Sequence, residues 1–422
     1  MKARHLAVLA LVAAVALAGC SKGGSKGGTQ ANKPITLNVS LMKGSAPDSL
    51  VAAVSQQMHA AHPNVTVKVQ ILDWTGRDAK WQTALLANPS TIDVLEQGNT
   101  DVLTYAANGS LADLSNYAFE NKDSWLTALK DAGTYNGKLY GVPYYAGSRV
   151  VWFNQDMWKA AGLPDPTASP PATLADLQKD AQKIMAKVNK PDFSGLYFPG
   201  KYWYGAISFV YDTGGSIATS DSSGKWTGNL NSAQSQQGLN NWLNFVKAVS
   251  KAPANGDETK DTDIIGQGKT AMIYDAGWAG GVVTQKYKNI KLGAFPMPGT
   301  QGGLPVFLGG SNFAVAAHSA NKDLAADYIK IFTDNQNMAA LAATGAIPNT
   351  TNLLDKVPAG PPQIAAKAAN RSWFTPTSPR WAKVENNNVL QNMLVEILTG
   401  KKSVADATKD ADNQINSLLQ AS

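Results

Sequence analysis

Apolar and polar residues alternate in several short segments of this chain, and segments with helical spacing lie between them. Residues 35–41 and 65–72 alternate as strands do, and residues 50–61 carry apolar side chains at helical spacing. A helix through residues 83–87 and a short strand at 92–95 continue the series. This alternation predicts an α/β fold, with a parallel sheet covered by helices on both faces.

The mixture of helices and strands continues to the carboxyl terminus. Roughly 390 residues follow the amino-terminal segment, which is large for one hydrophobic core and suits two lobes. In parallel sheets, ligands bind beyond the carboxyl ends of the strands, here the loops 43–48, 73–78 and 97–101. The pattern predicts further helices at 174–188, from 202, at 239–250, 322–333 and 389–419, and strands at 270–274, 292–298 and 313–317.

Residues 135–164 combine turn, strand and helix signals with an unusual number of aromatic side chains. Asn136-Gly137 favours a tight hairpin turn, residues 149–153 form an apolar run typical of a buried strand, and residues 156–161 favour a short helix. The tyrosine pair at 144–145 precedes three small residues. This mixture suits a chain that crosses between two lobes beside a ligand cleft, and it equally suits an ordinary aromatic core.

The first twenty residues have the parts of a bacterial lipoprotein signal. A basic start precedes the apolar residues 6–17, which are too few to span a bilayer as a helix. Leu17-Ala18-Gly19-Cys20 matches the lipobox, in which the cysteine is acylated and the chain is cut before it. We expect residues 1–19 to be a signal peptide, and Cys20, the single cysteine, to carry a membrane anchor.

Residues 20–33 are rich in Ser, Gly and Lys, as flexible tethers are. Five basic residues and no acid precede Pro34, so the formal charge of +6 falls to +1 for the remaining chain. The basic character therefore gives no argument for nucleic-acid binding. With Cys20 acylated, no thiol remains for a disulfide, a cysteine-ligated metal or cysteine-based catalysis.

Motifs for catalysis and metal binding are weak. Gly268-Lys269-Thr270 resembles the end of a phosphate-binding loop, but Asp263 occupies the position of its first glycine and a strand follows. His59 and His62 could share a helix face, yet no third ligand lies nearby in the sequence. No Gly-x-Ser-x-Gly motif is present, which disfavours an α/β-hydrolase. We expect neither a metal nor a cofactor.

Tryptophan, by contrast, is abundant, with eleven residues. A sugar ring offers a C–H face to a flat aromatic side chain and hydroxyl groups to polar side chains around its edge. Core packing remains the alternative for each tryptophan. A glycosidase, which needs two carboxyl groups, also remains open. Candidates at loops or helix starts are Trp74, Trp203, Trp278 and Trp381, and carboxylates near the expected cleft are Asp73, Asp78, Asp101, Asp212 and Asp275.

The lipobox, the α/β pattern and the segment YNGKLYGVPYYAGSRVVWFNQDMWKAAGLP resemble the family 1 extracellular solute-binding proteins of ABC transporters, which include maltose-binding proteins. The likeness continues in order through QGKTAMIYDAGWAGG, LGAFPMPG, FLGGSNFAVAAHSANKDLAADYIKIFT and ATGAIPNTTNL, across essentially the whole mature chain. LMKGSAPDSL and DVLEQGNTDVLTYAANGSLADLS are similar to actinobacterial binders of diacetylchitobiose and other β-linked oligosaccharides.

The resemblance implies the two-lobed α/β fold of periplasmic-binding-protein type II, with a ligand cleft between the lobes. Chain crossings are expected near 146–149, near 307–311 and after the helix at 322–333. The implied lobes are an N-terminal lobe of residues 34–146 plus 310–334 and a C-terminal lobe of residues 147–309 plus 335–422.

Family motifs also carry site residues onto this chain. Trp278, Trp381 and Tyr204 match positions of aromatic residues that stack on sugar, and Asn99, Thr100 and Asp101 occupy a hydrogen-bonding loop of the opposite lobe. Gly147 stands where maltose binders carry a ligand-binding glutamate, which argues against maltose. Further implied ligand-binding residues are Tyr145, Ser45, Ser311, Asn312 and Arg380.

The implied function is a monomeric, non-enzymatic receptor on the extracellular face of the cell membrane, anchored through Cys20. It would capture an oligosaccharide, for example diacetylchitobiose or another β-linked disaccharide, and deliver it to the transmembrane subunits of an ABC permease. No catalytic residue, metal, cofactor or nucleic acid is expected. The alternatives are an extracellular glycosidase and a carbohydrate-sensing lipoprotein.

Overall fold

The computed structural model describes residues 33–74 and 76–420, without the side chain of Asp78. The predicted signal peptide, Cys20 and nearly all of the tether lie outside the described residues. Within the described part, no helix has the length and apolar character needed to cross a membrane.

Strands and helices are intermixed along the whole described chain. The strands are β1 (Ile35–Met42), β2 (Val65–Leu72), β3 (Val94–Gly98), β4 (Thr134–Tyr135), β5 (Lys138–Leu139), β6 (Val142–Gly147), β7 (Arg149–Asn154), β8 (Ser194–Tyr197), β9 (Ala218–Ser220), β10 (Trp226–Gly228), β11 (Thr270–Ala276), β12 (Leu292–Phe295), β13 (Pro298–Gly299), β14 (Gly302–Gly303), β15 (Val306–Phe307), β16 (Gly309–Val315), β17 (Ile347–Pro348) and β18 (Ser372–Trp373). The α-helices are α1 (Asp48–Ala61), α2 (Arg77–Leu86), α3 (Val102–Ala107), α4 (Thr127–Ala132), α5 (Gln155–Ala160), α6 (Leu174–Val188), α7 (Trp203–Asp212), α8 (Ala233–Val249), α9 (Asp261–Gly266), α10 (Ala279–Lys286), α11 (Lys322–Phe332), α12 (Asn335–Ala342), α13 (Pro361–Ala368), α14 (Trp381–Asn386), α15 (Val389–Leu398) and α16 (Val404–Gln420).

Six strands form the first sheet, in the order β17-β6-β16-β3-β1-β2. β1 pairs in parallel with both β2 and β3, as the alternation of strands and helices predicts. β16, β6 and β17 join antiparallel, so the prediction of an all-parallel sheet is wrong for this half. The cause is topological, because these strands arrive by long connections instead of by right-handed βαβ crossovers. Apolar side chains of β1 pack against α1 and α11.

The second sheet has four strands, in the order β12-β7-β11-β8. Only β11 and β8 are parallel, and β7 runs antiparallel to its neighbours β11 and β12. Its main core contains α6, α7 and α8, with Leu177, Ile207 and Trp242 fully buried. The amphipathic pattern at 174–188 predicted α6 correctly.

The chain passes between the sheets at Gly147–Arg149, where β6 leads into β7, and again at Leu308, before β16. β17 pairs with β6, and Met338 of α12 is buried in the core under the first sheet. The chain thus stays with the first sheet beyond residue 334, where the sequence analysis placed the last lobe boundary. The sequence near residue 334 gives no local signal of this, because the pairing of β17 with β6 joins segments that are far apart in the chain.

Smaller differences between the predicted and the observed elements have local causes. The predicted helix at 239–250 begins earlier, as α8, because the Ser232 side chain accepts a hydrogen bond from the Ser235 amide and caps it. The predicted helical region 389–419 divides into two helices at Gly400, whose φ of +72° ends α15. The hairpin predicted at Asn136-Gly137 is confirmed by the pairing of β4 with β5.

Candidate functional site

Polar loops beyond β1, β2 and β3 form what we call the first wall, whose described residues are 43–48, 73, 74, 76 and 97–101. Because the three strands are parallel neighbours, their carboxyl ends meet at one edge of the sheet. Arg77 is sandwiched between Trp74 and Trp81, with its guanidinium carbon 5.0 and 5.3 Å from the two ring centroids. Its Nη2 donates to Asp101 Oδ2 at 2.5 Å. Stacking and charge together fix the direction of the Asp101 carboxylate.

The amide side chains predicted for this wall bond to backbone. Asn99 is buried, and its Nδ2 donates to the carbonyl oxygen of Leu308 at 3.0 Å. Asn312 is fully buried, with Nδ2 donating to Leu129 and Gly141 carbonyl oxygens. Asn99 therefore ties the first wall to the second crossing at Leu308, and Asn312 ties β16 to α4 and to the start of β6.

One acidic residue behind the first wall was missed by sequence reasoning. Glu96 lies inside β3, all five residues of which are buried. Its Oε2 accepts from Ser45 Oγ at 2.6 Å and from the Met42 amide at 2.7 Å. Burial raises the pKa of Glu96 to about 7 against these bonds, which lower it. The available signal for Glu96 was the position of an acidic residue within an otherwise buried strand.

Aromatic side chains form what we call the second wall, comprising Trp203, Tyr204, Phe307 and Trp381. The Tyr204 ring lies 4.0 Å from Trp203 and 4.6 Å from Phe307, centroid to centroid. Arg149 lies over the Tyr204 ring at 4.8 Å, and its Nε donates to the Tyr202 hydroxyl at 2.8 Å. The Arg149 guanidinium, at the first crossing between the sheets, holds one face of the Tyr204 ring through a cation–π contact. Sequence reasoning placed Arg149 in a strand and near the first crossing, without a role at the site.

Trp381 and Trp278 occupy different environments. Trp381 is 1% exposed, packs near Trp203, and its Nε1 donates to Glu385 Oε1 at 2.7 Å. Trp278, directly before α10, is 64% exposed. Of the two predicted stacking tryptophans, only Trp278 presents its ring to solvent.

Charged and polar groups of the two walls interact. Burial, aided by the Asp101 carboxylate, raises the pKa of Glu385 to about 7, against the hydrogen bond from Trp381 and the Arg77 guanidinium, which lower it. Thr104 Oγ1 in α3 donates to the Pro379 carbonyl oxygen at 3.0 Å, beside Arg380. Glu385, which the sequence analysis did not select, therefore lies within electrostatic range of the first wall.

The remaining predicted residues lie around these walls. Thr100 is half-buried in the first wall, Tyr145 is half-buried in β6, and Ser311 is fully buried in β16. Arg380, also half-buried, lines a cavity of about 530 Å³ with Tyr135 and Trp226. The structure thus places Ser45, Tyr145 and Ser311 on one side of the first sheet and Asn312 on the other.

Comparisons with known proteins identify the family. A model described as bacterial extracellular solute-binding protein matches residues 53–371. The chain is 33% identical over 433 residues to the diacetylchitobiose binding protein DasA of Streptomyces coelicolor, with 99% of each protein covered. The chain belongs to the bacterial extracellular solute-binding proteins. The family inferred from sequence is therefore confirmed.

Solved structures of other binding proteins share the fold. The GacH receptor of Streptomyces glaucescens superposes with a TM-score of 0.75 at 21% identity, covering 92% of this chain and 99% of that chain. The cyclic alpha-maltosyl-1,6-maltose binding protein from Arthrobacter globiformis gives a TM-score of 0.77 at 19% identity, covering 92% and 100%. The expected two-lobed periplasmic-binding-protein fold is confirmed.

In this solute-binding protein, the candidate catalytic and metal-binding side chains have other partners. Asp212 pairs with Arg371 at 3.2 Å, and His62 lies 3.2 Å from Asp327. Exposed Asp73 lies 3.5 Å from Lys43. The described residues contain no group of three or more His, Cys, Asp or Glu side chains suited to a metal ion. In the Gly268-Lys269-Thr270 motif, Gly268 has a φ of +68° and forms a turn, and Thr270 begins β11, as the sequence analysis expected.

Proposed function

We propose that this protein is the sugar-capturing subunit of an ABC importer, anchored to the extracellular face of the membrane through Cys20. It takes up an oligosaccharide between its two walls and delivers it, chemically unchanged, to the transmembrane subunits of the permease. Diacetylchitobiose or a related β-linked disaccharide is the proposed solute, and the receptor acts as a monomer without metal or cofactor.

The alignment with DasA over 99% of both chains carries the proposal of substrate class. The geometry supports it, because the second wall offers the flat ring of Tyr204, exposed Trp278 before α10 offers another, and the first wall offers Thr100 and Asp101. Rings on one side and hydrogen-bonding groups on the other match the two faces of a sugar.

Gly147 supports a solute other than maltose. A Cβ atom built at this glycine would meet no heavy atom within 4 Å, so the position where maltose binders carry a glutamate is open here. An open position accommodates a bulky substituent, such as the acetamido group of diacetylchitobiose.

A binding role also agrees with the state of the carboxylates. A glycosidase places two carboxyl groups about 5–10 Å apart on either side of the scissile bond. Asp101 instead pairs with Arg77, and Asp212 pairs with Arg371. Each of the two carboxyl groups is thus engaged by an arginine, which suits recognition better than proton donation.

Calorimetric titration of the purified protein tests the proposal, with diacetylchitobiose, chitobiose, cellobiose, trehalose and monosaccharides as solutes. We expect one-to-one binding of diacetylchitobiose and recovery of the intact sugar. At about 100 times Kd the sugar should add about 2.7 kcal/mol to the free energy of unfolding. Turnover of the sugar would instead establish a glycosidase, and silence across all solutes would exclude this substrate class.

A further inference from the structure

Three of the predicted site residues meet at one carboxyl group behind the first wall. Glu96 Oε2 accepts from Ser45 Oγ at 2.6 Å and from the Met42 amide at 2.7 Å. The hydroxyl groups of Tyr145 and Ser311 face the same carboxyl, where they favour its ionised form. Glu96 is itself fully buried, so it acts on a solute only through these neighbours.

The bonds to Glu96 determine the shape of the loop after β1. The Ser45 amide donates to the Met42 carbonyl oxygen at 3.1 Å, and Gly44 between them has a φ of +82°. The Tyr144 hydroxyl donates to the Ser45 carbonyl oxygen at 2.9 Å. Residues 42–45 are therefore a tight turn whose Ser45 hydroxyl is directed by the carboxyl group alone.

The surroundings of Glu96 leave it able to exchange a proton near neutral pH. Among the described residues, the ionisable groups whose charges interact with it are Tyr144 and Tyr145 on β6 and Tyr328 on α11. No cation appears among the groups that shift its pKa, so burial dominates and raises that pKa from 4.5 to about 7. Its Oε1 has no hydrogen-bond partner among the described residues.

The two protonation states direct the neighbouring hydroxyl groups differently. A carboxylate accepts only, so it favours orientations in which the Tyr145 and Ser311 hydroxyl hydrogens turn toward it and their oxygens remain free to accept. Among the described residues, neither Glu96 Oε1 nor the Ser311 hydroxyl has a hydrogen-bond partner in the present geometry. A protonated Oε1 becomes a donor, and it can be satisfied only if one of those hydroxyl groups turns its hydrogen away. The charge of Glu96 thus sets the direction of these hydroxyl groups, of which only the one on half-buried Tyr145 belongs to a partly exposed side chain.

We propose that Glu96 is a positioning residue for solute binding, which directs the hydroxyl groups of Ser45, Tyr145 and Ser311 and makes affinity for a hydroxylated solute depend on pH. This inference rests on the proposed function, because it concerns the same site. The ionised form binds more tightly, since a carboxylate holds the Ser45 hydroxyl and the Met42 amide more strongly than a neutral carboxyl does.

The test compares the wild-type protein with Glu96→Gln, a variant of the same shape whose side chain matches the protonated form. Calorimetric titration with diacetylchitobiose at about pH 5.5 and about pH 8.5 measures the affinity. Wild-type protein should bind about tenfold more tightly at the higher pH, the effect of one hydrogen bond to a charged group. Glu96→Gln should bind at both pH values as wild-type does at the lower one.

Asp412→Asn is the matched control, because burial also raises the pKa of Asp412, while its carboxylate accepts from the Leu230 and Asn231 amides and belongs to neither wall. This control should keep the pH dependence that depends on Glu96. Wild-type affinity of Glu96→Gln at the higher pH, or an undiminished pH dependence in that variant, would overturn the inference.

Stability measurements separate failure of this inference from failure of the proposed function. Without sugar, the melting temperature of wild-type protein should fall between about pH 5.5 and 8.5 more than that of Glu96→Gln, because ionising a buried carboxyl opposes folding. If wild-type protein binds no sugar, the proposed function fails. Equal melting curves across this pH range would then still overturn the assignment of Glu96.

Discussion

The two walls of the candidate site are held in place by different forces. In the first wall, short polar side chains are fixed by hydrogen bonds and charge, as Asp101 is by Arg77 and Ser45 by Glu96. In the second, Tyr204 is fixed by contact with other rings and with Arg149. Hydrogen-bonded groups have defined directions and provide specificity, whereas stacked rings provide contact area that tolerates small shifts of a solute.

A similar contrast exists between the two tryptophans that family motifs place against sugar. Trp381 is in the core and bonded to Glu385, whereas Trp278 is largely exposed. Two tryptophans that both match family motifs can therefore contribute differently to stability. Mutations can separate the contribution of each to stability from its contribution to solute binding.

Trp381→Ala should have the largest effect on stability. Removing a buried tryptophan leaves a cavity beside Trp203 and leaves the Glu385 carboxyl without its indole donor, which should cost about 3–5 kcal/mol of unfolding free energy. Urea denaturation measures this loss, with Trp381→Phe as the milder control. A loss below about 1 kcal/mol would show that Trp381 belongs to the solute surface more than to the core.

Trp278→Ala should separate binding from stability. Because the ring is exposed, its removal should change the unfolding free energy by less than about 0.5 kcal/mol. Affinity for diacetylchitobiose should fall by about 1–3 kcal/mol, the usual range for loss of one stacked aromatic ring. Calorimetry and denaturation of the same preparation measure both quantities, and Trp278→Phe should restore part of the affinity. Unchanged affinity would remove Trp278 from the site.

Glu385→Gln should reduce the pH dependence of stability. The pKa of Glu385 rises from 4.5 to about 7 on folding, so its contribution to stability is complete below pH 4.5 and is lost as pH rises toward 7. At about pH 8 the variant should therefore be more stable than wild-type protein by about 1–2 kcal/mol, with little difference near pH 4. Denaturation curves at both pH values test this, and a gain that is equal at both would contradict it.

Lys43→Ala should have the smallest effect. Lys43 and Asp73 form an ion pair of 3.5 Å whose side chains are both more than 70% exposed. Such pairs contribute about 0–1 kcal/mol, and salt weakens them. We expect a change in unfolding free energy below about 0.5 kcal/mol that disappears in high salt. A larger change would mean that the exposed end of the first wall is more ordered than its surroundings indicate.

Much of the secondary structure could be predicted because its signals are local. Strict alternation predicted β1 and β2. Helical spacing at 174–188 predicted both ends of α6, and in the structure the Thr173 side chain caps its first turn. Asn136-Gly137 predicted its hairpin for a conformational reason, since both residues adopt positive φ there. Motif order gave the family before any contact was known.

The placement of the candidate site residues in the fold was predicted in part. Asp101 and Thr100 do lie at the edge of the sheet where the carboxyl ends of parallel strands meet. The use of Asn312 for backbone hydrogen bonds was not predictable, because its partners Leu129 and Gly141 are more than 170 residues away in sequence. Whether a side chain faces the cleft or the core depends on such distant neighbours.

The sequence by itself determined the elements with clear periods, the lipoprotein signal prediction and the membership of the family. Only the tertiary structure decided that β16 runs antiparallel to β3, that Trp381 is buried and that Glu96 lies behind the first wall, bonded to Ser45. The physical reason is the separation in sequence between the residues that determine each property. Periodicity reports the conformation of neighbouring residues, whereas burial, and with it the pKa of a carboxyl group, depends on side chains brought together from distant parts of the chain.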